Sequence, residues 1–388
     1  MKKRVAYRLR VSLGQKVVLE GFSPSTSQSR LREHLPLSSP YKRSGFLLTS
    51  SRHSGMDHQK IESCTDVLQC HKDLTSKILE CLDDPADLVR ASAVAYSWHQ
   101  LVIENELAKK ACLNMYPQLS NIVSIDKMND ATTSSEFNNT SELEILKRDH
   151  KVYVILLLAL NKSNLSPMDC IETAVWVSST DNYPRESVVN TLEPSDRLNR
   201  RFSYWSSEGQ SDPYIPETLM YKLSDGIWLV TEIDIQPFEA FFQSGKPTYS
   251  AKSVRFRINY PKSPQDVAMQ LRRRPHLKPA DDMFEWTYTS PEFPMTQENR
   301  LQPFKLPEPV LCMGGYLQIE LLGRVQRQEM DGLFYICVDH VRVLGRPLYP
   351  AFDVVIIAPR GKLLLKYNPM AFSSVLKSVS IDEITHMR

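Results

Sequence analysis

Between Asp73 and Val102 the apolar residues fall into two helical stripes broken by one sharp corner, and this pattern limits the fold of the segment more than any other stretch of the chain. Leu74, Ile78, Leu79 and Leu82 recur at helical spacing, and Asp83-Asp84 then interrupts the stripe. Asp84 suits an N-cap. Pro85 falls at the first helical position, where its missing N–H costs nothing, and Asp87 complements the positive helix end. Leu88 resumes the apolar series, and Val94, Trp98, Leu101 and Val102 extend it at i, i+4, i+7 and i+8. Three small helices are expected. So short a module hides too little apolar surface to fold alone, so its stripe must cover either the rest of this chain or a second protein.

The order Ile78-Leu79, Leu82, Asp84-Pro85, Asp87-Leu88, Val94 and Trp98 resembles the F-box, the adaptor-docking module of cullin-type ubiquitin ligases. Two features depart from that family. Thr75 follows Leu74 where the family has proline, and Ala95, Tyr96 and Ser97 precede Trp98 where a basic residue is usual. The resemblance implies that Leu74, Ile78, Leu79, Leu82, Pro85, Leu88, Val94 and Trp98 form the surface that docks a Skp-type adaptor, with its supporting core. A cullin would be reached through the adaptor. It further implies a non-catalytic substrate receptor that works without a cofactor, in the nucleus or cytoplasm.

Downstream of Leu165 the texture changes to short alternating segments separated by Pro and Gly. Leu229, Thr231, Ile233 and Ile235 alternate with Val230, Glu232 and Asp234; Val254, Phe256 and Ile258 alternate with Arg255, Arg257 and Asn259; Leu317, Ile319 and Leu321 alternate with Gln318 and Glu320. From Phe334 to Val343 the apolar phase shifts midway, as a bulge requires. Repeated strands with Pro-rich corners indicate an antiparallel β-sandwich or barrel. The expected class is α+β multidomain, a small helical module followed by a sandwich.

Within this half, Ala174 to Ser179, Asn190-Thr191-Leu192, Tyr204-Trp205-Ser206-Ser207, Glu217-Thr218-Leu219 and the strand around Ile233 resemble the galactose-binding, discoidin-type jelly rolls in order and pattern. Trp205, Ser206 and Ser207 could then line a ligand or substrate loop, an aromatic face beside hydroxyls being suited to a sugar ring. The ordinary reading of that turn is that it closes the sandwich. A glycan- or ligand-binding sandwich with a structural helical appendage is accordingly the alternative to the receptor. Arg272-Arg273-Arg274 could grip an acidic partner, or belong to a solvated loop between strands, and Gly323 to Gln328 reads as a polar hairpin connection.

The expected organisation is a basic Ser/Arg-rich arm over 1–55, the helical module over 62–127 with a further helix near Thr65 to His71, a polar linker over 128–141, a connecting helix over 142–164 opened by the capping box Ser141-x-x-Glu144, and the sandwich over 165–388. The arm carries Lys2, Lys3, Arg4, Arg8, Arg10, Lys16, Arg30, Arg32, Lys42, Arg43 and Arg52 against Glu20 and Glu33. It reads as a disordered tail, an extension from an alternative start, or a transit peptide that would place the chain in an organelle. Removing it leaves an acidic remainder, so the net charge of +2 does not argue for nucleic acid as a partner.

The seven cysteines include no C-x-x-C pair and suit a reducing compartment rather than a disulfide framework. Cys64, Cys70 and His71 lack a second ligand pair at zinc spacing, so no metal is expected. No nucleophile elbow, H-E-x-x-H, Walker loop or kinase motif occurs, and His340 reads as a structural residue in a strand. The longest apolar run, Val152 to Leu160, is far short of a bilayer span of roughly 20 residues and reads as a buried core helix or strand; no membrane is expected as a partner.

Overall fold

The computed structural model describes residues 72–82, 85–128, 141–161, 166–194, 203–274 and 276–376. The basic arm, the expected helix near Thr65 to His71, the cap at Asp84 and nearly all of the polar linker lie outside these residues. Four short helices open the described chain: α1 (Lys72–Glu80), α2 (Pro85–Ser92), α3 (Tyr96–Glu104) and α4 (Leu107–Met115). Pro85 opens α2 as expected, and Arg90 pairs with Asp87 at 2.7 Å within it. After a 3-10 turn at Pro117–Asn121 comes β1 (Ile122–Lys127), and then α5 (Glu142–Asn161). The capping box forms: the Glu144 amide donates to Ser141 Oγ and the Ser141 amide to a Glu144 carboxylate oxygen, both at 3.3 Å.

The second half of α5 is buried from Val152 to Leu160 except for half-buried Val154, because it runs through a core. Leu79, Leu88, Leu101, Leu107 and Cys112 of the small helices pack into that core, and so do Ile227, Leu229, Tyr260, Leu311, Met313 and Leu348 from the strand region. The helix expected as a connector is therefore the shared floor of both halves.

The strands that follow are β2 (Met168–Asp169), β3 (Ile171–Val177), β4 (Trp205–Ser206), β5 (Glu217–Leu223), β6 (Ile227–Glu239), β7 (Thr248–Tyr249), β8 (Ala251–Pro261), β9 (Phe284–Thr289), β10 (Phe293–Pro294), β11 (Gln302–Met313), β12 (Tyr316–Arg324), β13 (Cys337–Pro347), β14 (Phe352–Ile357) and β15 (Lys362–Tyr367). One sheet runs β10-β8-β12-β5-β3 with β9 beside β8, and the other runs β11-β6-β13-β2 with β4 and β7 on its edges. All pairings within them are antiparallel. Their facing sides close over a second core containing Val254, Phe256, Ile258, Leu317, Ile319, Leu321, Ile233 and Ile235. This is the expected antiparallel sandwich, with the expected inward residues on β8 and β12.

Strict alternation fails on β6, where the register against β13 skips Thr231. The extra residue inverts the phase. Val230 therefore joins Ile233 and Ile235 in the sandwich core, while Leu229 turns to the helical core. The phase shift expected after Phe334 is a bulge at Asp339, between Val338 and His340. Arg272 and Arg273 lie not in a loop between strands but in the last turn of α6 (Pro264–Arg273), with Arg274 just beyond, where cations complement the helix dipole.

A third sheet of order β1-β15-β14 ties the strand that follows the small helices to the C-terminal hairpin. β1 pairs parallel with β15, so a segment expected to end the helical module is a strand. Asn121 Nδ2 donates to Tyr260 Oη at 2.8 Å and Tyr260 Oη donates to the Gly361 carbonyl at 3.2 Å, which links small helices, sandwich and C-terminal hairpin through one phenol. Among the described residues no helix is long and apolar enough to cross a membrane.

Candidate functional site

The expected docking residues with described side chains divide into three groups by burial. Leu79 and Leu88 are buried, because α1 and α2 fold those faces onto the core floored by α5. Ile78, Leu82 and Trp98 are half-buried, with Leu82 and Trp98 packed against that core from outside. Leu74 and Val94 are exposed, and Tyr96 beside Val94 is more exposed still. Pro85 opens α2; its side chain lies outside the described ones. The apolar stripe thus has an inner half satisfied by this chain and an outer half of Leu74 and Val94 left to water. Tyr96 has no counterpart among the expected docking residues. Its position just before a Trp in a helical stripe held no signal of exposure.

Beside this surface, His99 of α3 meets His150 of α5 edge to face, with ring centroids 5.9 Å apart. Burial, and then the His99 charge, push the His150 pKa down to about 4.

The Trp205-Ser206-Ser207 turn is not a ligand loop. Trp205 is fully buried in the sandwich core, and its Nε1 donates to the Ser179 carbonyl at 3.0 Å, so neither face of the ring is free to stack. Ser206 and Ser207 are buried too. Four of the residues that carry the jelly-roll resemblance, Ser178, Ser179, Ser207 and Glu217, meet in one polar cluster. Both Ser178 and Ser179 hydroxyls donate to the Glu217 carboxylate, which pairs with the Arg324 guanidinium; side-chain exposures of the pair are 2% and 0%. Arg324 also donates to Ser207 Oγ at 2.8 Å and to the carbonyls of Glu208, Ile215 and Phe334 at 2.9 to 3.1 Å. The stretch from Gly323 expected as a polar hairpin connection therefore begins with a fully buried cation. A single arginine in a polar run offers no local sign of burial, since its partners come from segments distant in the chain.

His340 sits in β13 with Nδ1 2.9 Å from the Thr191 carbonyl, in the structural role expected of it. The described cysteines are free, and Cys112, Cys170, Cys312 and Cys337 are buried.

Comparison with known proteins bears on the helical module directly. Residues 72–114 match the F-box-like family model. The chain is 48% identical over 301 residues to the F-box protein At4g00755 of Arabidopsis thaliana, an alignment that takes in 76% of this chain and 79% of the relative. An F-box-like helical module followed by a β-sandwich is thus the architecture of this chain. The chain belongs to the F-box protein family.

Solved structures similar to the sandwich half include CBM32-3 from a family 31 glycoside hydrolase of Clostridium perfringens, at 13% identity and a TM-score of 0.29 over 45% of this chain and 90% of that one. Another is the family 32 carbohydrate-binding module of Streptococcus pneumoniae EndoD, at 11% identity and a TM-score of 0.28 over 44% and 93%. Likenesses this loose say nothing of a ligand.

Proposed function

We propose that this chain is the substrate-receptor subunit of a Skp-cullin-F-box type E3 ubiquitin ligase, non-catalytic in itself, acting in the nucleus or cytoplasm. The observation that carries the reading is the split stripe: inside an F-box-like segment, Leu74 and Val94 stay exposed over half-buried Ile78, Leu82 and Trp98. An apolar row left uncovered by a chain that has buried its other half suits a partner that completes the packing. The adaptor docks there, with Leu79, Leu88 and the Pro85 turn holding the surface in shape. The sandwich holds the target. Catalysis is then a matter of proximity, since the assembly raises the effective concentration of a target lysine near charged ubiquitin and needs no reactive group here.

The test uses the exposed pair, because truncating half-buried Leu82 or Trp98 would also loosen the core. Leu74→Asp with Val94→Asp should abolish co-purification of a Skp-type adaptor with the full chain while leaving its thermal midpoint unchanged. Adaptor recovered at the wild-type level by that variant overturns the reading.

A further inference from the structure

The sandwich has a second end, and large apolar side chains stand in water there as well. The helical core meets the start of β6 and the ends of β8 and β11, through Leu229, Tyr260 and Met313. At the opposite end of the same strands Val338 pairs with Pro237, Ala251 with Arg324 and Leu219 with Val177. Four connections converge on that end, after β3, before β5, after β6 and after β12. Each lifts at least one large side chain into solvent, the most exposed being Tyr183 at 78%, Tyr214 at 82%, Phe242 at 61% and Met330 at 93%. Folding gains nothing from such placement.

The rim is held rigid from below. Arg324 fastens the Glu208 and Ile215 carbonyls of one loop and the Phe334 carbonyl of another to buried Glu217. Tyr335 Oη donates to Asp331 at 2.6 Å, and its ring meets Tyr249 edge to face at 6.3 Å. A preorganised rim loses little freedom on binding.

Its charge is acidic on balance. The four connections carry Asp181, Glu186, Glu193, Asp196, Glu208, Asp212, Glu329 and Asp331 against Arg185, Arg197, Arg200, Arg201, Lys246 and Arg327, and among the described residues the balance is seven acids to three cations. Arg327 is already engaged with the Gly332 carbonyl of its own loop. Partial burial and the neighbouring Asp331 carboxylate raise the Asp181 pKa, so these two acids from separate loops feel each other. A cation between them relieves that repulsion.

We propose that this rim is the surface that holds the target, and that its occupant is a basic protein segment whose Lys or Arg meets Asp181 and Asp331 while its apolar side chains cover Tyr214 and Met330. The word target rests on the receptor reading above; the binding itself does not. Adaptor and target then occupy opposite ends of one compact unit, separated by the length of strands such as the 11-residue β13, about 35 Å.

The test measures fluorescence anisotropy of the full chain with three matched synthetic peptides, one rich in Lys, Arg and Leu, one with each cation replaced by Gln, one with each replaced by Glu, and with chitooligosaccharides alongside. The basic peptide should bind at least about tenfold tighter than the Gln form and weaken as salt rises. Asp181→Asn with Asp331→Asn should erase that preference. Because Asp331 also orients Tyr335, a second variant, Tyr214→Ser with Met330→Ser, touches only exposed side chains and should weaken the basic peptide about tenfold at an unchanged melting midpoint. Equal binding of the three peptides, wild-type binding by both variants, or binding of the sugar alone overturns the proposal. Adaptor capture by the wild-type chain separates the two readings: capture with no binding of the basic peptide sinks the rim and spares the receptor, and peptide binding without capture spares the rim.

Discussion

At the scale of single residues, Arg324 and Glu217 show how much a buried ion pair depends on its surroundings. The guanidinium is fully enclosed and satisfied by a carboxylate, a hydroxyl and three carbonyls, so removing either partner strands a charge in the interior. Arg324→Ala or Glu217→Ala should each cost about 3–5 kcal/mol, whereas Arg324→Met combined with Glu217→Leu should recover much of the loss. Urea unfolding midpoints of the three variants check this. His150 sets a different dependence. Its folded pKa of about 4 lies below the ordinary 6.5, so the folded state keeps it neutral while the unfolded chain takes up a proton. The stability from the neutral ring is complete above pH 6.5 and declines as pH falls from 6.5 towards 4. His150→Gln should flatten that part of a stability-versus-pH profile measured by urea unfolding, and an unchanged slope would refute the assignment.

At the scale of elements, the parallel pairing of β1 with β15 makes the F-box depend on the far end of the described chain. Leu363 and Leu365 of β15 lie in the same core as Leu107 and Cys112 of α4 and Leu156 of α5. Truncating either leucine to Ala should cost on the order of 2–5 kcal/mol. Amide exchange in α4 and α5 should speed up with it, although neither helix carries the substitution. Protection of those helices unaltered in Leu365→Ala would show that the small helices stand on their own. The bulge at Thr231 is the same kind of device on a smaller scale. One inserted residue lets a single strand serve the sandwich core with Val230 and the helical core with Leu229.

Across the whole molecule, the local patterns were legible and the distant agreements were not. Helical spacing around Leu79 and Leu88, the Pro85 start, the Ser141 cap, the alternation of β8 and β12 and the phase shift near Asp339 are properties of neighbouring residues, and a sequence displays them because side-chain periodicity follows from backbone geometry alone. The same letters could not tell that Trp205 faces a core rather than a ligand. An indole beside two serines reads alike on a loop or inside a sheet, until Ser179 and the strands around it close over the ring. Which half of the F-box stripe stays open was also undetermined, since it depends on where α5 passes beneath it. Sequence by itself settled the strongly periodic elements and the two-part build of the chain, but not strand β1 or helix α6. Only tertiary structure decided which apolar and charged groups reach the surface, because burial is set by contacts between segments tens to hundreds of residues apart, and these leave no periodic trace in either segment.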